Sequence, residues 1–411
     1  MTALLVTDSK YEFVPPHEGE FWPRLLGRIT PWHLRRGYGI ERIEVRGAEV
    51  LQRLCREGHG VLLAPNHCRM TDALVLQSLA NEARQPFYLM ASSHLFRGRR
   101  WMAWMLRRMG AFSVYREGLD RQAIQKAVDI LAAGRRPLVI FPEGALSQAN
   151  DRLQALQEGA SFIARAAAAK LRKSEQPRDA ARRVYALPVA IRYTFQGDID
   201  ATAGQLLGRI EERLSWKPRT DSGLVERVLR VGEALLSLKE CEFLGAPQPG
   251  PLHVRVERLI DGLLAPLETE WLGGRRERTA ILRVKELRRA ILPDMIEGRL
   301  SPEESERRWG QLKAAELAQS LSLYPAEYVV SRPTVDRILE TVERFAEHLI
   351  GDETPHGPMH VVVQVGTPIE VNAKRDRTAA IDPLLSGIEQ GLSGLLAATA
   401  DASRVYQGGC S

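Results

Sequence analysis

The sequence predicts an α/β protein: a sheet covered by helices, with a long helical segment before its last strand. Two observations carry that reading. Short apolar runs alternate with helix-period stretches from residue 46 to about 200. The alternation then gives way to a nearly all-helical stretch over 200–355, and strand character returns at 360–365.

The elements follow in order. Residues 60–64 are a short apolar run closed by Pro65, the pattern of a buried strand, and 72–83 is a helix with Leu74, Leu76 and Leu79 apolar. Strands are expected at 86–90, 111–115, 137–141 and 184–193, and helices at 98–109, 119–133 and 153–173. Within the helical stretch, Val335, Ile338, Leu339, Val342, Phe345, Ala346 and Leu349 form an i, i+3, i+4, i+7 stripe. Val256, Leu259, Ile260, Leu263, Leu264 and Leu267 form another. Turns at 247–250, at Gly273-Gly274 and at Pro293 punctuate it, and a final helix spans about 383–399. Residues 11–45, rich in Pro, Trp and Arg, are too interrupted by proline to predict a clean amphipathic helix. They read either as an interfacial segment or as an arm folded over the core.

Composition narrows the function classes. With 44% hydrophobic and 26% charged residues, the 411-residue chain is globular and lacks the signature of disorder. The net charge of +6 is concentrated, with arginines crowding 97–116 and 273–289. Such patches suit phosphate groups or an anionic membrane surface, and no nucleic-acid motif accompanies them. Cys55, Cys68, Cys241 and Cys410 are scattered, so neither a zinc site nor a disulfide framework is expected. The amino terminus lacks a secretory pattern and no run approaches 18 apolar residues. A cytoplasmic protein lying at most on a membrane surface is the expectation. In 95–110, Trp101, Trp104, Met105 and Arg108 share one helical face. That face fits a membrane-facing helix or a core helix with outward arginines.

The chemistry-bearing motifs are Asn66-His67-Cys68-Arg69-Met70-Thr71-Asp72 and Phe141-Pro142-Glu143-Gly144. Attack of a hydroxyl on a thioester needs a base, and an imidazole with a reference pKa near 6.5 suits that task at neutral pH. A carboxylate fixes its tautomer and stabilises the imidazolium. Five residues on an ideal helix turn through about 500°, which separates the two side chains. They meet only if His67 lies on the loop before the helix and Asp72 in its first turn. Read alone, Asn66 and Asp72 are turn and cap residues and His67 a loop residue. Arg116 follows a strand, and Glu143 sits in a Pro-Gly turn at a strand end, where α/β sheets place ligands.

The order NHCRMTD, GAFSVYR (110–116), FPEG (141–144), a Leu-Pro-Val strand (187–189) and VGTPIEV (365–371) resembles the lysophosphatidic acid acyltransferase family of glycerolipid acyltransferases. The resemblance covers 45–200 and 358–398. It implies a glycerolipid-acyltransferase-like mixed sheet flanked by helices, with a helical insertion before the last strand. The units would then be an arm at 1–45, a core at 46–200 plus 358–400, and an insertion at 201–357. It further implies an O-acyltransferase of phospholipid biosynthesis with no cofactor or metal. Acyl-CoA or acyl-carrier protein would be the donor and lysophosphatidate, at a membrane surface, the acceptor. His67 would be the general base, Asp72 its partner, Arg116 the phosphate contact, and Glu143 and Gly144 part of the acceptor site. No nucleophile is implied, so Cys68 is a passenger.

Two departures bear on the acceptor. The third motif continues Ala145-Leu146-Ser147 where the family has Thr-Arg-Ser, and Arg69 stands where Ser is frequent. Arg69 is expected to restore the missing positive charge. The alternatives are another lysophospholipid, an aminolipid or a glycolipid as acceptor, or a non-catalytic peripheral membrane protein. The insertion would cap the acyl site, dock a carrier protein or mediate self-association.

Overall fold

A computed structural model describes residues 10–408 apart from 99, 177, 178, 180, 220, 325, 377 and 380. Residues 1–9, Arg99 and Cys410, considered above, lie outside the described residues. The strands are β1 (Ile40–Arg46), β2 (Gly60–Pro65), β3 (Tyr88–Ser92), β4 (Ala111–Val114), β5 (Leu138–Val139), β6 (Val184–Phe195), β7 (Met359–Val365) and β8 (Ile369–Glu370). They form one sheet in the order β1-β7-β6-β2-β5-β3-β4, with β8 also on β6. Pairing is parallel except where β6 meets β7 and β8. This is the mixed sheet expected from the sequence, with helices on both faces.

Those flanking the first half are α1 (Phe21–Tyr38), α2 (Ala48–Arg56), α3 (Asp72–Ala83), α4 (Arg100–Arg108), α5 (Arg121–Ala133) and α6 (Gly159–Arg172). Between β6 and β7 come α7 (Ile199–Arg213), α8 (Leu224–Leu244), α9 (Leu252–Leu272), α10 (Ala280–Ile296), α11 (Pro302–Ser322), α12 (Tyr328–Ser331) and α13 (Val335–Ile350). The closing helix is α14 (Pro383–Ala398).

Alternation along β2 assigns the layers. Val61 and Leu63 face a core shared with α1, α2, α3, α7 and α13, while Leu62 and Ala64 face α5, α6 and α14. Pro188 is tolerated in the middle of the sheet because β6 changes partners there. Ala186 pairs with β8 and Val189 with β7, so a proline without a ladder donor sits at the junction.

Helices α8 to α11 carry a separate core built on Leu259, Leu264, Leu287, Ile291 and Leu312. Successive helices are also tied by Arg–carboxylate pairs, the first three buried and the fourth with a half-exposed aspartate. Arg227 meets Glu211 at 2.9 Å, Arg255 meets Glu240 at 2.7 Å, Arg283 meets Glu268 at 2.6 Å, and Arg308 meets Asp294 at 3.0 Å. An unpaired charge in any of the three buried pairs is costly, so these pairs fix the helical register more than they add stability.

The amino-terminal segment departs from expectation. Residues 21–38 form a continuous helix despite Pro31. Proline deprives the carbonyl of Gly27 of its helical donor, and the Asn81 side chain of α3 supplies one instead at 2.9 Å. Gly27 is required for that approach, since a Cβ there would lie 2.7 Å from Asn81 Oδ1. Residues 40–46 then enter the sheet as an edge strand parallel to β7. Helix α6 begins at Gly159 rather than near 153, the backbone N–H of Gln154 and Gln157 being held instead by Glu143 and the Pro142 carbonyl.

Candidate active site

The two motifs meet because β2 and β5 are parallel neighbours. Their carboxyl ends present His67 and the Phe141–Gly144 turn side by side, and β4, two strands further out, delivers Arg116 to the same edge. Asn66 anchors the first loop by gripping Ile191 of β6 through both its carbonyl oxygen and its N–H, at 3.0 and 2.7 Å.

His67 lies on the loop and Asp72 opens α3, the arrangement that the five-residue spacing requires. Nδ1 of His67 is 2.9 Å from Asp72 Oδ2. Asp72 is fully buried and accepts from the backbone N–H of Cys68 and Arg69 at 2.7 and 3.0 Å and from the Tyr193 hydroxyl at 2.7 Å. These donors and the amino end of α3 stabilise a buried carboxylate. A carboxylate on Nδ1 selects the tautomer with its proton there, which leaves the Nε2 lone pair free. The ring stacks on Phe141 with centroids 4.0 Å apart.

Glu143 is turned inward and is not among the side chains that line the cavity described below. It is fully buried, and its two oxygens accept from the backbone N–H of His67 at 2.6 Å and of Gln154 at 2.9 Å. The resemblance implies acceptor binding for this residue; its geometry is that of a brace on the histidine loop. Burial pushes its carboxyl up to about 8 against the pull of the two N–H donors. Ser147 braces the same loop from the other side, both its N–H and its hydroxyl donating to the His67 carbonyl at 2.9 Å. Gly144, at φ +68°, makes the turn that a β-carbon would strain, and its carbonyl accepts a hydrogen bond from Arg116.

Arg69 is also placed differently from expectation. Its guanidinium meets Glu343 of α13 at 3.1 Å and lies over the Tyr193 ring, so its charge is neutralised. Substitution Arg69→Ala is expected to cost about 2–3 kcal/mol by leaving Glu343 short of its partner. It should also leave the KM for a phosphorylated acceptor unchanged. Thermal melts and steady-state kinetics check the two halves.

Beside this pair, Glu340 is buried, accepting from the Tyr328 hydroxyl at 2.8 Å. Burial raises its pKa to about 8, opposed by Arg69 and Tyr328. Its folded pKa therefore exceeds the unfolded value near 4.5, so the native state holds the extra proton between these limits. Stability is expected to fall as pH rises from about 5 to about 8. Glu340→Gln should flatten that slope in melts across this range.

The motifs open into one large cavity of about 2660 Å³ between the strand ends and the helical insertion. His67, Arg116 and Gly144 line one side; Leu229, Leu235, Phe243, Ile281, Leu282 and Leu317 line the other. Cys68 lies buried beneath, and burial first, then Asp72, raise its thiol well above the ordinary range, which disfavours a thiolate. Among the described residues no three or more His, Cys, Asp or Glu side chains are grouped to hold a metal ion.

Phe141, Ser147, Tyr193 and Glu343 were absent from the sequence-derived site. FPEG and the serine after it were visible as a motif, but nothing local marks Tyr193 or Glu343.

The mixed α/β sheet thus holds a His-Asp pair at its strand ends, opening on a largely apolar cavity. Residues 42–192 match the acyltransferase family model, and the chain carries an acyltransferase domain. A comparison with curated proteins returned no match.

Proposed function

We propose that the protein moves a fatty acyl group from an acyl-CoA or acyl-carrier-protein thioester to the free hydroxyl of a lysolipid, with lysophosphatidate giving phosphatidate. The observation that carries this reading is the clasp of His67 by buried Asp72 beside Arg116, at the mouth of a cavity with long apolar walls. Nε2 of His67 takes the hydroxyl proton as the acceptor oxygen attacks the thioester carbonyl. The carbon–sulfur bond then breaks, and the departing thiolate receives that proton from the imidazolium. Asp72 stabilises the transient cation. Arg116 binds the acceptor phosphate, Gly144 shapes its side of the site, and Glu143 and Ser147 hold the His67 loop in register. Arg69 acts through α13 rather than on phosphate.

The membrane is the proposed source of the acceptor. Helix α1 exposes Phe21, Leu25, Ile29 and Trp32 along one face, opposite the buried Pro23, Gly27, Thr30 and Leu34. Trp22 packs edge-on against Trp104 of α4, Arg108 lies over both rings, and Trp101 and Trp104 are themselves exposed. Aromatic and aliphatic side chains interleaved with Arg24, Arg28, Arg35, Arg36 and Arg100 suit an anionic bilayer interface. Among the described residues no helix is long and apolar enough to cross a membrane.

A panel of lysolipids in liposomes, offered with long-chain acyl-CoA and then with an acyl-carrier protein, tests the acceptor. The expected result is fastest turnover with lysophosphatidate. Preference for an uncharged or amino-bearing lysolipid would remove lysophosphatidate as acceptor while leaving acyl transfer in place.

A further inference from the structure

The helical insertion does more than close the cavity. Arg288 of α10 lines it together with Arg116, and its residue is 6% exposed. One amino group of Arg288 pairs with Glu316 of α11, while its Nε has no hydrogen-bond partner among the described residues. Lys285, one turn before Arg288 on α10, and Lys313, one turn before Glu316 on α11, line the same cavity. Arg288 and Arg116 thus line one cavity with the exposed Lys285 and Lys313, and Glu316 and Glu117 are the carboxylates beside the two arginines. Burial and, next, the charge of Arg288 lower the pKa of Arg116, with Glu117 and Glu316 opposing that shift. Like charges held together at the edge of an apolar cavity are unfavourable unless an anion sits between them.

We infer that Arg288 and Arg116 form a two-sided clamp for a phosphate group of the substrate, Arg288 being contributed by the insertion. The clamp rests on the proposed acyl-transfer reading for the identity of its ligand, the phosphate monoester of the acceptor. A guanidinium on each side of a phosphate provides two-point, charge-assisted recognition. The insertion thus becomes part of acceptor selection, because a lysolipid without phosphate forgoes the charge-assisted contacts of both guanidinium groups. Glu316, paired with Arg288, competes with the phosphate for that guanidinium.

The test is equilibrium binding of a short-chain lysophosphatidate below its micellar concentration, by calorimetry, to the full chain. The same-chain monoacylglycerol and CoA serve as the other ligands. Arg288→Gln is expected to weaken lysophosphatidate binding by about tenfold or more, the effect of losing one charge-assisted contact. Monoacylglycerol binding should stay within about twofold. Arg288→Lys should recover part of the loss, and Glu316→Gln, which frees Arg288, should tighten binding about threefold. In turnover the loss should fall on the KM for the phosphorylated acceptor rather than on the KM for the thioester.

Unchanged lysophosphatidate binding in Arg288→Gln would overturn the clamp. A loss confined to CoA binding and donor KM would overturn its assignment to the acceptor, marking a donor phosphate instead. Should Arg288→Gln fail to fold, Arg288→Lys and Glu316→Gln decide the matter, and no change in either overturns it. Wild-type protein that binds lysophosphatidate through Arg288 but turns over no thioester would sink the acyl-transfer reading and leave the clamp standing.

Discussion

Substitution His67→Ala is expected to lower kcat by about 10³-fold, within the range that general-base catalysis supplies. The substrate affinities should change little, since Arg116 and the apolar walls are untouched. Stability should also survive, because the bonds holding the loop run through the backbone. The N–H of His67 still reaches Glu143 and its carbonyl still receives Ser147. Asp72→Asn behaves differently. The residue is buried among three N–H or ring donors and one hydroxyl, and an amide turns a donor towards at least one of them. It should lower kcat by up to about 10³-fold through the wrong histidine tautomer, no more than His67→Ala, because Asp72 acts only through that ring. It should also depress the melting temperature, which His67→Ala does not. Steady-state kinetics paired with thermal melts separates the two, and equal activity in wild type and His67→Ala would remove the histidine from the chemistry.

The double substitution Ile29→Glu with Trp32→Glu is expected to reduce partition onto vesicles containing anionic lipid by about 100-fold. That figure corresponds to losing part of the burial energy of two large apolar side chains, each about 1.5–3 kcal/mol when fully transferred. Both are well exposed, at 49% and 63%, so the folded core loses nothing when they change. Helix α1 remains held by Leu34, Thr30 and the Asn81 bond to Gly27. Vesicle sedimentation measures the effect, and residual binding should weaken further with salt as the arginine contribution is screened. Undiminished partition would move the membrane contact elsewhere on the surface.

Much of the sheet was legible because its strands are buried on both faces and read as continuous apolar runs, as in β2 and β7. The edge strand β1 was not, since its Ile43 and Val45 alternate with charges inside an arginine-rich stretch and its partner lies some 320 residues on. Helix α1 was hidden by Pro31, whose cost is relieved by a side chain from a different helix. At the site, loop-then-helix logic placed His67 against Asp72, because local geometry alone decides that contact. Side chains oriented by distant partners escaped it. Glu143 sits in a turn that usually faces ligand, yet two backbone donors draw it inward. Arg69 looked like a spare cation until Glu343, 274 positions later, was brought beside it. The chain of Arg–carboxylate pairs across α7 to α11 likewise has no local signature, since each arginine reads as an ordinary surface charge on its own helix.

The most direct test is a single assay of purified protein with long-chain acyl-CoA and lysophosphatidate in anionic liposomes, with products identified by mass spectrometry and His67→Ala run alongside. The expected result is repeated formation of phosphatidate by wild type, at a rate about 10³-fold above the variant. Wild-type protein that binds the liposomes yet leaves the thioester of both CoA and carrier-protein donors intact would contradict acyl transfer as its function.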